Sequence, residues 1–181
     1  MSFAKVPAAN DLAKITEDFN CVIEIPAESD PVKYEVDHET DLIWVDRFVG
    51  TNMRYPANYG FIPNTLCDDG DPLDVLVVTP FPLIHGAVVR CRPLGVLNMV
   101  DESGGDAKLI AVPVSKLCPM YDNIQDLKDL PQLLVDQIEF FFQNYKGLEK
   151  GKWVKLDGYG DKQAAEKEIL NSLELFNSKN A

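Results

Sequence analysis

From Cys21 to Pro113 the apolar residues come in short runs, each stopped by a proline, a glycine or a group of acids. Cys21-Val22-Ile23-Glu24-Ile25 ends at Pro26. Val32-Lys33-Tyr34-Glu35-Val36 alternates, placing Lys33 and Glu35 on one face and Val32, Tyr34 and Val36 on the other. Leu42 to Val49 is a third unit and Val75 to Val78 a fourth. Val88 to Arg92, Leu94 to Val100 and Lys108 to Val112 complete the set. Runs this short and this β-branched are strands rather than helices. The first three are expected to form a meander. The stretch Tyr55 to Pro63, cut by two prolines and a glycine, can hold only short extended pieces. Past residue 120 the period becomes helical. Ile124, Leu127 and Leu130 suggest a short helix, and Pro131 opens a longer one that Gly147 ends. Its inner side carries Leu134, Ile138, Phe141, Phe142 and Tyr145. A last helix is predicted over 163–176, with Ala165, Ile169, Leu173 and Phe176 facing inward. Strands first and helices after read as an α+β fold, a small barrel or strongly curled sheet with helices packed outside. With no repeat and no linker, residues 1–181 make a single domain.

Asp68-Asp69-Gly70-Asp71-Pro72-Leu73-Asp74 stands immediately before the fourth strand. Four carboxylates in one short turn repel each other unless a cation sits among them. Gly70 and Pro72 make the turn stiff. A second acidic group, Asp101-Glu102-Ser103-Gly104-Gly105-Asp106, lies on another glycine-bearing turn beside a strand. Asp101 and Asp106 bracket it, and Lys108 lies two residues from Asp106, on the same face if the strand begins there. Rigid oxygen donors suit magnesium, manganese or calcium. Zinc is a poor fit, because no His or Cys pair stands at zinc spacing. An EF-hand loop fails too, since neither its glycine nor its final glutamate falls in place. An isolated acidic turn is more often simply solvated. Two of them with interleaved cations suit a phosphate-rich substrate that arrives with divalent metals.

The formal charge of −12 argues against a basic face for nucleic acid. An acidic protein that acts on an anion needs metal ions as intermediaries. The four cysteines are widely spaced, with no Cys-x-x-Cys pair. No apolar leader opens the chain and no stretch approaches membrane-span length, so a cytoplasmic location is expected.

Asp69-Gly70-Asp71-Pro72-Leu73-Asp74 matches the D-[SGDN]-D-P-[LIVM]-D pattern of soluble family I inorganic pyrophosphatases. The resemblance runs through Val22 to Pro26, Lys33-Tyr34-Glu35, Val45-Asp46-Arg47, Tyr55 to Gly60, Asp101 through Lys108, Tyr145-Lys146 and Lys150 to Trp153. In length the chain resembles the bacterial-type members. The resemblance implies a five-stranded OB-like β-barrel with helices against it. It implies magnesium-dependent hydrolysis of pyrophosphate to two phosphates by in-line attack of a metal-activated water, with no covalent intermediate. Manganese or another divalent ion would substitute, calcium would inhibit, and the protein would be a homo-oligomer, a hexamer. By position, Asp69, Asp74 and Asp106 would hold one metal, with Asp74 touching a second. Asp101, Asp106 and Glu35 would serve the metals that come with substrate. Asp71 would be the general base or orienter of the water. Lys33, Arg47, Tyr59, Lys108, Tyr145 and Lys146 would contact phosphate oxygens, while Glu24, Glu102 and Tyr55 would support them from behind. Phe140 and Asn144 stand where some bacterial relatives carry histidines, so histidine-linked control of assembly does not carry over.

Each residue also has an ordinary reading. Lys146 could complement a helix dipole. Tyr145 could be core and Tyr59 a packed loop aromatic. Lys33 and Glu35 could be a solvated strand face, and Arg47 a surface ion pair. His38 and His85 match no site position and read as surface loop residues, and nothing marks Cys67 as a nucleophile. Two rival functions remain: an OB-like module that holds nucleic acid, and a calcium-stabilised structural protein.

Overall fold

In the computed structural model, residues 3–37 and 39–179 are described. Nine strands are Phe19–Ile25 (β1), Val32–Asp37 (β2), Leu42–Phe48 (β3), Asn58–Phe61 (β4), Asp74–Val77 (β5), Val88–Asp101 (β6), Gly104–Gly105 (β7), Lys108–Pro113 (β8) and Val154–Gly160 (β9). Two α-helices follow the sequence periods closely, Gln132–Asn144 (α1) and Lys162–Lys179 (α2).

Strands β1, β4, β5, β8 and β6 pair in that order, and β6 returns to β1, closing a ring of five. This is the expected OB-like barrel. Closure leaves the five strands no open edge. All its pairings are antiparallel except β5 with β8. The strand alternation feeds two cores. Val75 and Val77 of β5 pack in one with Ala165 and Ile169 of α2. Leu76 between them packs in the other with Ile138, Phe141 and Phe142 of α1. Each helix therefore covers one set of side chains, as an α+β arrangement requires.

Several expectations are corrected. The first three strands do not form a meander: β1 joins the barrel, while β2 and β3 make a separate two-stranded sheet. Pro26 and Pro31 bound the connection after β1, and no β1–β2 ladder forms. The two runs on either side of Pro93 are one strand, β6, with an irregularity between Pro93 and Gly95 that accommodates the missing donor. The short helix around Leu127 is one 3-10 turn, Leu127–Asp129. Leu134 of α1 and Leu173 of α2 pack against the cores as expected but stay partly exposed, while Val135 and Ser172, not expected there, are buried. Strand β9 was not foreseen. Its charges and glycines carry little strand signal, and it forms by pairing along β6. The prediction for His38 falls outside the described residues. His85 is a surface loop residue as expected, its Nδ1 donating to the Glu24 carbonyl at 2.7 Å.

Candidate active site

The acidic turn is short because Gly70 takes φ +97°, which a side chain resists. Asp69, Asp71 and Asp74 line the cleft at the start of β5, whereas Asp68 lines a separate pocket. The Asp71 backbone N–H donates to Asp69 at 3.0 Å, so the turn is tied by its own side chain. The parallel ladder then sets Asp74 directly opposite Lys108. Lys108 is only 3% exposed, and its ammonium bonds both Asp74 and Asp106 and reaches the Tyr59 hydroxyl at 3.3 Å.

The second acidic turn closes the other side. Asp101 ends β6 and accepts from Ser103 N–H at 2.7 Å and from Lys146 Nζ at 2.6 Å. Lys146 follows α1, whose C-terminal turn also delivers Tyr145. The β2–β3 hairpin supplies the last wall. Lys33 bonds Glu35 and lies 3.3 Å from Asp46, which is also 3.3 Å from Arg47. The result is a cleft of about 170 Å³ lined by Asp69, Asp71, Asp74, Asp101, Glu102 and Asp106 together with Lys33, Arg47, Lys108, Lys146, Tyr59 and Tyr145. A neighbouring recess of about 140 Å³ shares Lys33, Tyr59, Asp71 and Asp74 and adds Glu24 and Glu35. Tyr55 is buried behind Tyr59, with ring centroids 5.1 Å apart.

The model of the family described as inorganic pyrophosphatase matches residues 21–177. The chain belongs to the inorganic pyrophosphatase family. It is 64% identical over 173 residues to an inorganic pyrophosphatase of Ralstonia nicotianae, covering 96% of this chain and 97% of that one. Among solved structures it resembles an inorganic pyrophosphatase from Coxiella burnetii, with 52% identity, TM-score 0.89, and coverage of 94% of this chain and 99% of that one. The Thermus thermophilus inorganic pyrophosphatase gives TM-score 0.90 at 41% identity, with coverage of 98% and 99%.

Within this pyrophosphatase chain the charges are strongly tuned. Burial pushes the Glu24 carboxyl up to about 8, against the Val36 N–H that donates to it at 2.7 Å. Burial also raises Asp69 to about 6 and lifts Asp71, where the charges of Asp74 and Glu35 add to it. Asp106 rises by burial as well, with Asp74 adding. Asp101 moves the other way: burial opposes its charge, but the Lys146 bond and the Ser103 N–H outweigh it. Burial opposes the Lys108 charge too, and Asp74 and Asp106 overcome it, so the ammonium stays charged.

The donor set is carboxylate oxygen throughout, which fits a hard divalent cation. A cation already occupies its middle, the Lys108 ammonium between Asp74 and Asp106. Among the described residues, no three acids, histidines or cysteines converge on one point as a ready-made ligand set. A metal would therefore share these carboxylates with Lys108, or draw them partly away from it.

Residues that sequence reasoning did not single out also line or brace the cleft. Ser103 and Lys152 face it, and Lys152 lies 3.3 Å from Glu102. Glu149 meets Arg47 at 3.3 Å. Lys152 sits in a block that matches the family and could have been found there. Glu149 lies in a turn with no local signal.

Proposed function

We propose that the protein hydrolyses pyrophosphate to two phosphates in this cleft, using magnesium, with calcium inhibitory. The observation that carries this is one cleft lined by five aspartates and four buried or half-buried cations, with Lys108 between Asp74 and Asp106 and Lys146 on Asp101. Held by Asp69, Asp74 and Asp106, with Asp101 and Glu35 serving further ions, a divalent cation would supply an activated water and neutralise phosphate charge. The chain's own groups do the rest. Asp71 takes the proton from the attacking water. Arg47 suits bidentate contact with one phosphoryl group, while Lys33, Lys108 and Lys146 act as point charges on the developing negative charge. Tyr59 and Tyr145 fix the phosphate oxygens from the aromatic side of the cleft. Glu24, Glu102 and Tyr55 hold those groups in place.

The working form is a homo-oligomer, a hexamer in our reading. Exposed Leu133 and Phe140 on α1 support self-association. We place the protein in the cytoplasm. No described helix is long and apolar enough to cross a membrane.

Phosphate release from pyrophosphate by the pure protein tests the reaction. Turnover with magnesium, loss with chelator and inhibition by calcium are expected. Asp71→Asn should lose about two to four orders of magnitude in kcat, the usual worth of a general base, while keeping its circular-dichroism spectrum. Chelator-insensitive turnover would overturn the metal role, and an active Asp71→Asn would remove Asp71 as the base.

A further inference from the structure

Arg47 is placed to take a phosphoryl group, yet its own sheet does little to hold it. It stands near the end of β3, in the β2–β3 hairpin that forms a sheet of its own beside the barrel. Asp46 touches its Nη1 at 3.3 Å but is shared with Lys33. The Nε edge points elsewhere, to Glu149 Oε1 at 3.3 Å. Both atoms are buried from solvent, and neither has a well-aligned hydrogen-bond partner. The two side chains are 25% and 16% exposed, so this is not a free surface pair with water to fall back on.

Glu149 is itself fixed to the cleft. Its N–H donates to the Lys146 carbonyl at 2.9 Å, and its carbonyl accepts from Lys152 N–H at 3.2 Å. Those two residues send their ammonium groups to Asp101 and Glu102. The turn after α1 therefore carries two cleft lysines and, between them, a carboxylate aimed at the arginine of the opposite wall.

Resting on the pyrophosphate reading, we propose that Glu149 is a positioning residue: it restrains Arg47 through Nε while Asp46 holds Nη1, so that Nη2 is left for the substrate phosphate. An arginine steered this way loses less freedom when it binds, and the gain falls on substrate capture rather than on bond breaking. It also ties the hairpin wall to the wall that carries Lys146.

The test is steady-state kinetics on pyrophosphate with saturating magnesium for the wild type, Glu149→Gln, Glu149→Asp, Arg47→Ala and the double variant Arg47→Ala/Glu149→Gln. Thermal unfolding and circular dichroism accompany each. Glu149→Gln is expected to raise KM by about tenfold, the scale of one lost charge-assisted contact, with kcat within about twofold. Glu149→Asp, which withdraws the carboxylate by one methylene, should raise KM by less. In the Arg47→Ala background, Glu149→Gln should change nothing more, because its partner is gone. A wild-type KM in Glu149→Gln, or effects that multiply in the double variant, would overturn the inference. A wild type that releases no phosphate would instead overturn the underlying function, so the two failures are distinguishable.

Discussion

Lys108 sets the charge balance of the cleft. It is nearly fully buried and bonded to two aspartates, so it holds those carboxylates in place through charge rather than packing. The sequence allowed part of this. Asp106 and Lys108 stand two apart, and they do meet, although Asp106 lies just before β8 rather than on it. The pairing with Asp74 was not legible, because it comes from a ladder between distant strands. Glu24 shows what burial does to a single group. Its folded pKa of about 8 lies above that of an exposed glutamate, so the folded state holds its proton where the unfolded chain has released it. The sign follows: the stability tied to Glu24 is complete below about pH 4.5 and is lost as pH rises toward 8. With chelator present, the unfolding free energy should fall across that window. Glu24→Gln, which keeps an acceptor for Val36, should flatten the fall by about 1.4 kcal/mol per pH unit, one proton's worth. Denaturant unfolding at pH 5.5 and 7.5 measures it, and an unchanged slope in the variant would show that Glu24 does not titrate there.

At the level of elements, the strands that read clearly were those with β-branched runs, β5 and β8 above all. Strand β4 reads from the sequence only as short extended pieces, because Pro56, Gly60 and Pro63 break its pattern. The structure shows why Gly60 is there. A Cβ at that position would stand 1.9 Å from the Val22 carbonyl oxygen of β1, backbone against side chain, with no flexible group to move. Gly60 stands beside Tyr59 on the strand that links β1 to β5 in the ring. Gly60→Ala should therefore cost about 3 kcal/mol, the upper range of overpacking, and lower the melting temperature by roughly 6 to 12 °C. A melting temperature within about 2 °C of wild type would mean that β1 and β4 can separate without penalty. Strand β9 carries little sequence signal for a related reason. Its stability lies in its pairing with β6, and a single segment cannot display a partner.

For the molecule as a whole, the fold class was readable from two periodicities, but the order was not wholly strands before helices, because β9 lies between α1 and α2. The set of residues that line the candidate cleft was reached chiefly through resemblance; composition and spacing alone reached a cation site on two acidic turns and named no reaction. Crowded acids in a protein of charge −12 should make metal ions stabilising as well as functional. Magnesium at about a hundred times its dissociation constant should add about 2.7 kcal/mol to the unfolding free energy, and chelator should remove it. Thermal unfolding with and without magnesium checks this, and identical curves would argue that the cleft holds no ion in the folded state. The parallel pairing of β5 with β8 has one more effect. Lys108 arrives 34 residues after Asp74, and the lysine beside Asp101 comes another turn of the chain later, after α1. A ribosome that stops before Lys146 has thus made a chain with every acid of the cleft and not every wall, so an unfinished product should be inert rather than partly active.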